Sequence, residues 1–381
     1  MRFWRGCAAT PAVRSRLATL LIVVAVIVCA AAESTAAAAL PPPAAEMTVV
    51  PFQGALGRVS DTEMDVSVAP RGAAPARLVI YEPQGWGLGS GAAVGTPLGS
   101  ILLSVLDDKS PFEPDFADGE LTVGDPALGA DAAAQACSPG SHDAVWLAAP
   151  KIARQGVSLR LYVDQTSGSD VSLGAYRITT CLPSPYVPVA QGGAPDGAQV
   201  VDFSLLTTLT NPSSTGTYGW RVLITPYVYG TTTFDTANTF EARTHVLFPF
   251  VLTLRAAYQP RTQTLVISGR VLALRKPRPG VKVSLFADWH GGPPDTFTLS
   301  GFKDQKTRSD GTFHLSEPRN RILQPNQTAK LEIHAFVDAI TGPCTAPAAA
   351  PGGCASDTLS PPITPLDGIT VNIPPTPPKR S

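Results

Sequence analysis

The chain has 381 residues, enough for two or three domains that each bury a core. Its formal net charge of −1 excludes a strong electrostatic attraction to nucleic acid or to an anionic membrane. The 38 prolines and 33 glycines, set against 15% charged residues, favour many short strands and turns over long helices.

The N-terminus has the pattern of a secretory signal peptide. An apolar run from Leu17 to Ala32 ends on small residues of the form that signal peptidase cleaves, and it follows Arg2, Arg5, Arg14 and Arg16. The run is shorter than the roughly 20 residues that span a bilayer comfortably. We predict a signal peptide at 1–32 and a secreted or extracellular protein. A retained membrane anchor and a lipoprotein modified at Cys29 are minor alternatives. Residues 33–46, rich in Ala and Pro, are predicted to be a linker.

The four cysteines beyond this leader are expected to form disulfides. An even number of cysteines in an exported chain is typical of such bonds. Sequence order favours the pairs Cys137–Cys181 and Cys344–Cys354. Zinc is the competing interpretation, but the chain has no C-x-x-C pair and no histidine at ligand spacing from a cysteine. We therefore expect no metal and no cofactor.

Residues 47–188 are predicted to form a β-sandwich. Apolar and polar residues alternate at 64–68 and 159–163, which is the pattern of half-buried strands, and turn-forming residues separate the strands. Further strands are predicted at 77–81, 101–106, 120–123, 144–148 and 174–181.

Two further β regions follow. Residues 198–257 carry strand patterns at 200–209, 218–226 and 240–254, although about 60 residues is small for an independent core. Residues 258–373 carry a late strand at 331–337 and a last one at 369–373. The Pro-rich residues 374–381 are predicted to be an extended tail.

The first two regions resemble immunoglobulin-like proteins. The order Cys137, Trp146, Cys181 is similar to the cysteine, core tryptophan and cysteine of an immunoglobulin domain, with different spacing. The chain also resembles exported bacterial immunoglobulin-like proteins with no established function, through the stretches 174–177, 181–185, 211–212, 218–221 and 225–227. These resemblances imply architecture and compartment only.

The stretch from Ile267 to Leu315 resembles a third type of module. Alternating strands on both sides of Gly/Pro turns contain Ser268-Gly269-Arg270-Val271, Pro279-Gly280-Val281-Lys282-Val283 and Ser309-Asp310-Gly311-Thr312-Phe313. These motifs resemble the carboxypeptidase regulatory-like, or transthyretin-like, sandwich domain. The resemblance implies a Greek-key accessory domain, which in some relatives binds carbohydrate or protein. The predicted fold is thus all-β, with two or three immunoglobulin-like or transthyretin-like β-sandwich modules.

Two loop tryptophans are the candidate ligand contacts. Exposed aromatic rings stack on the apolar faces of sugars, and Trp86 and Trp289 lie in Gly-containing loops. Covering the edge of a core is the alternative role for each. Trp146 and Trp220 lie within strand patterns and are predicted to be core residues.

No motif predicts a catalytic residue. His314 and Glu317 have H-x-x-E spacing, but positions i and i+3 of a strand point to opposite faces. His142-Asp143 has no serine or cysteine context that marks a nucleophile. The acidic residues at 107–120 offer carboxylates to calcium, although they lack the spacing of an EF-hand.

The chain is therefore expected not to be an enzyme. The predicted role is structural, or an interaction with an extracellular or envelope protein, without nucleic acid and without a membrane span in the mature chain. A carbohydrate-binding module that uses Trp86 and Trp289 is the alternative, and an unrecognised hydrolase is the second alternative.

Overall fold

A computed structural model of the chain describes residues 45–375 except 70–71, 89–90, 108, 110–111, 291–299, 324–327, 345–346 and 362–367. The predicted signal peptide at 1–32, most of the predicted linker and residues 376–381 of the predicted tail lie outside the described residues. In the described part, no helix is long and apolar enough to cross a membrane.

Strands make up most of the described chain, which confirms the all-β class. The first fourteen strands are β1 (Ala45–Pro51), β2 (Val59–Val68), β3 (Pro75–Glu82), β4 (Gly87–Leu88), β5 (Pro97–Leu106), β6 (Asp115–Val123), β7 (Ala144–Ala148), β8 (Lys151–Ile152), β9 (Gln155–Gly156), β10 (Leu159–Gln165), β11 (Tyr176–Cys181), β12 (Gln199–Thr210), β13 (Gly216–Pro226) and β14 (Phe240–Phe248).

The later strands are β15 (Phe250–Gln259), β16 (Thr264–Ala273), β17 (Lys276–Pro277), β18 (Lys282–His290), β19 (Ser300–Gly301), β20 (Gln305–Lys306), β21 (Thr312–Pro318), β22 (Ala329–Val337), β23 (Ile340–Gly342), β24 (Cys354–Ser360) and β25 (Ile369–Ile373). Two short helices are α1 (Ala132–Cys137) and α2 (Arg319–Ile322). Single 3₁₀ turns cover Pro126–Gly129, Gly168–Ser172, Val189–Gln191, Pro195–Gly197 and Thr236–Asn238.

The N-terminal module is one large curled sheet. Its strand order is β1-β2-β12-β5-β6-β7-β10-β11-β3-β13-β14-β24-β23, and β4 pairs with β12 at the side of this path. The sheet curls until β1 comes beside β24, where the Val49 amide donates to Ser360 Oγ at 3.2 Å. The inward-facing side chains therefore meet in one closed hydrophobic core.

The predicted boundary between residues 47–188 and 198–257 does not separate two cores. Strand β12 lies between β2 and β5, and β13 pairs with β3, so both regions share one sheet. Trp146 from the first region and Phe203 and Trp220 from the second are buried in the same cluster. The physical reason is size, because about 60 residues bury too little apolar surface to stand alone.

The C-terminal module is a two-sheet sandwich. One sheet holds β15, β16, β17 and β21, and the other holds β18, β19, β20, β22 and β25. Ile267 and Phe313 of the first sheet are buried in one cluster with Leu285 and Ile333 of the second. The two sheets therefore share a second hydrophobic core, separate from that of the N-terminal module.

The start of the C-terminal module differs from the prediction. The pattern at 240–254 predicts a single strand, but the structure divides it at Pro249 into β14 and β15, which belong to different sheets. A proline has no N–H to donate to a strand ladder, so it ends the pairing of β14. The predicted boundary at 257/258 therefore falls inside β15.

A segment of the C-terminal region returns to the N-terminal sheet. Strand β24 pairs in parallel with β14 and carries β23 at its other side. A buried ion cluster supports this return: Glu241, with 0% exposure, accepts from Arg243 Nε at 2.6 Å and from the Ala349 amide at 2.7 Å. Arg221 Nη1 lies 3.2 Å from the same carboxylate. Glu241 thus ties β13 and β14 to the residues between Cys344 and Cys354.

We expect Glu241→Gln to destabilise the fold, because a neutral amide removes the buried carboxylate that pairs with Arg243 and Arg221. Breaking a buried pair from one side costs about 3 kcal/mol. Urea unfolding measures the loss, and Glu113→Gln, a change at an exposed glutamate, is the matched control. Equal unfolding free energies for the two variants would contradict the structural role of Glu241.

Candidate functional site

Trp86 is a core residue and not an exposed sugar platform. Its exposure is 6%, and its ring packs edge-on against Trp220, with centroids 5.1 Å apart, and against Phe248, at 5.3 Å. The next two residues, Gly87–Leu88, pair with β12. This pairing places Trp86 on the core side of the sheet. The structure thus contradicts a stacking role for Trp86. The side chain of Trp289 lies outside the described residues, so its predicted ligand contact stays a prediction.

Both disulfides join the cysteines that the sequence order favours, Cys137–Cys181 and Cys344–Cys354. The first differs from the immunoglobulin arrangement. Cys137 packs in a small cluster with Val145 and Tyr162, whereas Trp146 faces the main core. Neighbouring residues of a strand point to opposite faces, so the disulfide and Trp146 lie on opposite sides of β7.

The catalytic-looking pairs do not assemble a site. On β21, Phe313 and Leu315 are buried and His314 is exposed, so His314 and Glu317 lie on opposite faces. His142 does not use Asp143, because its Nδ1 lies 2.9 Å from Asp164 Oδ1. Among the described residues, no group of three His, Cys, Asp or Glu side chains could hold a metal ion, and this statement includes the described part of the 107–120 loop.

A basic groove lies on the outer face of the first C-terminal sheet. Cross-strand register places Arg255, Ser268 and His314 in one row. It places Thr253, Arg270 and Thr312 in the next row. With Arg308 these side chains line a groove of about 440 Å³. We call this surface the basic groove.

Two of the three arginines in the basic groove have no ion-pair partner among the described residues. Arg270 donates through Nε to the backbone carbonyl of Asp310 at 3.0 Å. The Asp310 carboxylate accepts hydrogen bonds from Thr312, which are the main cause of its lowered pKa, and Arg270 contributes less. No described carboxylate forms an ion pair with Arg255 or Arg308. The groove therefore presents fixed positive charge that anionic groups can contact through paired guanidinium donors.

An acidic face covers the outer side of β1, β2, β12, β5 and β6. These five adjacent strands contain no Lys, Arg or His, and their carboxylates are Glu46, Asp61, Glu63, Asp65, Asp202, Asp115, Asp118 and Glu120. Register aligns Asp65 with Ser204, then Leu102, then Asp118 across four strands. By strand alternation, all of these carboxylates except Asp115 point to the outer side of the sheet. We call this surface the acidic face.

Crowding and burial perturb the centre of the acidic face. Burial, and then the charge of Asp65, raises the pKa of Asp202 to about 6. The same two causes raise the pKa of Glu63, and burial raises that of Asp65. Hydroxyl donors compensate in part, since Ser204 Oγ donates to Glu63 at 3.0 Å. Burial is thus the larger cause of these raised pKa values, and repulsion between neighbouring carboxylates adds to it for Asp202 and Glu63.

Charge is segregated along the chain. Residues 45–248 contain 20 Asp and Glu against 10 Lys and Arg, a net charge of −10. Residues 249–381 contain 9 acidic against 15 basic residues, a net charge of +6. The total of −1 hides this division, and the sequence reasoning, which used only the total, missed both faces. Counting charge by region would have found them.

Glu82 is a buried acid without a partner. It has 0% exposure at the end of β3, and neither of its carboxyl oxygens has a hydrogen-bond partner in the described residues. By strand alternation it faces the core beside Leu78 and Ile80. Burial alone raises its pKa to about 8. The group is therefore mainly protonated at neutral pH.

Comparisons with known proteins identify no family. No protein-family model matches the chain, and no curated protein matches it. Solved structures give distant similarities. Domains D2 and D3 of the major pilin SpaD from Corynebacterium diphtheriae are 11% identical, with 77% of this chain and 83% of that chain covered and a TM-score of 0.24.

Two other solved structures are similarly distant. The D0–D1 domain of intimin is 9% identical, with 83% and 99% covered and a TM-score of 0.19. The C-terminal domain of the antigen I/II-family protein AspA from Streptococcus pyogenes is 7% identical, with 84% and 99% covered and a TM-score of 0.22. Scores this low support no conclusion about family or function.

The protonation of Glu82 makes stability depend on pH. Its folded pKa lies above the ordinary value of 4.5, so its contribution is complete below that value and is lost as pH rises through about 8. Between pH 5 and 9 we expect the wild type to lose on the order of 4 kcal/mol more than Glu82→Gln. Urea unfolding across this range measures the difference, with Glu113→Gln as the control that should follow the wild type. Parallel pH profiles for Glu82→Gln and wild type would refute the assignment.

Proposed function

We propose that this chain is an exported protein with a structural or protein-interaction role outside the cytosol. The observation that carries the proposal is the pair of oppositely charged sheet faces, which lack compensating partners within the described chain. Exposed surfaces of strong single-sign charge direct association with partners of the opposite sign. Two disulfides support an oxidising compartment.

The architecture supports the same role. Strand β24 and the Glu241 cluster hold the C-terminal region against the N-terminal sheet. A two-core body tied in this way suits the display of fixed surfaces. The two-sheet form of the C-terminal module supports the carboxypeptidase regulatory-like assignment, which we retain as part of the proposal. The carbohydrate-binding alternative loses Trp86, since that ring is buried in the core.

Expression of the full chain in its own host tests the proposal. Whole-cell thiol labelling and fractionation should find the protein outside the cytosol with Cys137, Cys181, Cys344 and Cys354 resistant to labelling until reduced. A photo-crosslinking residue at Asp118 or Arg255 should capture discrete protein partners, whereas one at Lys151, an exposed position on neither face, should capture fewer. A cytosolic protein with free thiols would refute the proposed role.

A further inference from the structure

We propose that the basic groove binds the acidic face of a second copy of this chain, which gives a head-to-tail contact between copies. This inference rests on the proposed interaction role and names the partner. It starts from the observation that the described part of one chain carries two surfaces of opposite charge that form no ion pair with each other. Because the surfaces belong to different modules, each copy offers both halves of the contact.

The basic groove is built to receive carboxylates. Its arginines stand on two adjacent strands and one turn, so strand pairing fixes the spacing of Arg255 and Arg270. The Ser268 hydroxyl lines the same groove and can donate to an acidic side chain, whereas the Thr253 and Thr312 hydroxyls already donate to the Arg270 carbonyl and the Asp310 carboxylate. Guanidinium groups bind carboxylates through two parallel hydrogen bonds, so a sheet of carboxylates is a suitable partner.

The acidic face has the matching properties. Asp118 and Glu120 are exposed on β6, which is separated by β5 from the crowded carboxylates of β2 and β12. Strand pairing sets Glu63 and Asp65 of β2 beside Asp202 of β12, and a cation from a partner would reduce the repulsion between these like charges. A second copy supplies such cations without any other component.

A second copy fits the whole charge distribution better than a polyanionic polymer does. A polyanion on the basic groove would leave the acidic face without a partner of opposite charge. A second copy instead places its own acidic face on the groove and leaves its own groove open for another copy. Contacts between two different surfaces are heterologous, and they extend into rings or filaments.

Sedimentation of the purified full chain at several salt concentrations tests the proposal. At about 20 mM salt the average mass should rise with protein concentration, and at about 300 mM it should fall to that of a monomer, because salt screens exposed charges. Arg255→Glu with Arg308→Glu should weaken self-association by about tenfold or more. Asp118→Lys with Glu120→Lys should have the same effect. The control Lys276→Glu with Lys330→Glu changes the same charge on exposed residues outside the groove and should associate as the wild type does.

A mixture gives the decisive measurement. Each charge-reversal variant alone should self-associate at least about tenfold more weakly than the wild type. An equimolar mixture should associate, because the native groove of Asp118→Lys with Glu120→Lys can bind the native acidic face of Arg255→Glu with Arg308→Glu. Circular dichroism checks that each variant is folded, and Arg255→Gln with Arg308→Gln serves if the glutamates unfold the module. A wild type that stays monomeric at low salt would overturn the proposal, whatever its location in the cell. Arginine-dependent binding to heparin by such a monomer would assign the groove to a polyanion instead.

Discussion

The position of β12 holds the N-terminal module together. This strand lies between β2 and β5, and it pairs with both along most of its length. It comes from a region more than 90 residues after β5, so the sheet is complete only when the distant segment has inserted. Its inward residues, among them Phe203 and Leu205, are fully buried in the shared core. Without this insertion, β2 and β5 would each lose the hydrogen-bond partner on one side.

The same insertion fixes the acidic face. Since side chains alternate along a strand, the register that buries Phe203 and Leu205 also turns Asp202 and Ser204 outward. The neighbouring β2 turns Glu63 and Asp65 to the same side for the same reason. A shift of the register by one residue would turn the carboxylates toward the core and the apolar side chains toward the solvent. Packing of the core and crowding of charge are therefore two consequences of one strand pairing.

The sequence predicts individual strands well and their partners poorly. Alternation at 64–68, 159–163 and 331–337 is a local signal, and each stretch lies in a strand of the structure. The partner of a strand depends on loop closure over long distances, for which a single sequence carries no periodic signal. For this reason residues 198–257 are predicted to be a separate small module, although β12, β13 and β14 complete the first one. The pairing of β24 with β14 also joins distant segments, and the local pattern does not predict it.

The candidate site shows a different limit of sequence reasoning. Trp86 lies in a Gly-rich segment whose pattern predicts an exposed loop, but pairing of the next two residues with β12 places the ring in the core.

The distribution of charge, in contrast, can be counted directly from the sequence. An overall value near zero describes solubility, whereas association depends on where the charges are. The chain carries −10 at residues 45–248 and +6 at residues 249–381, and charges on the two faces are largely screened from each other beyond about 8 Å.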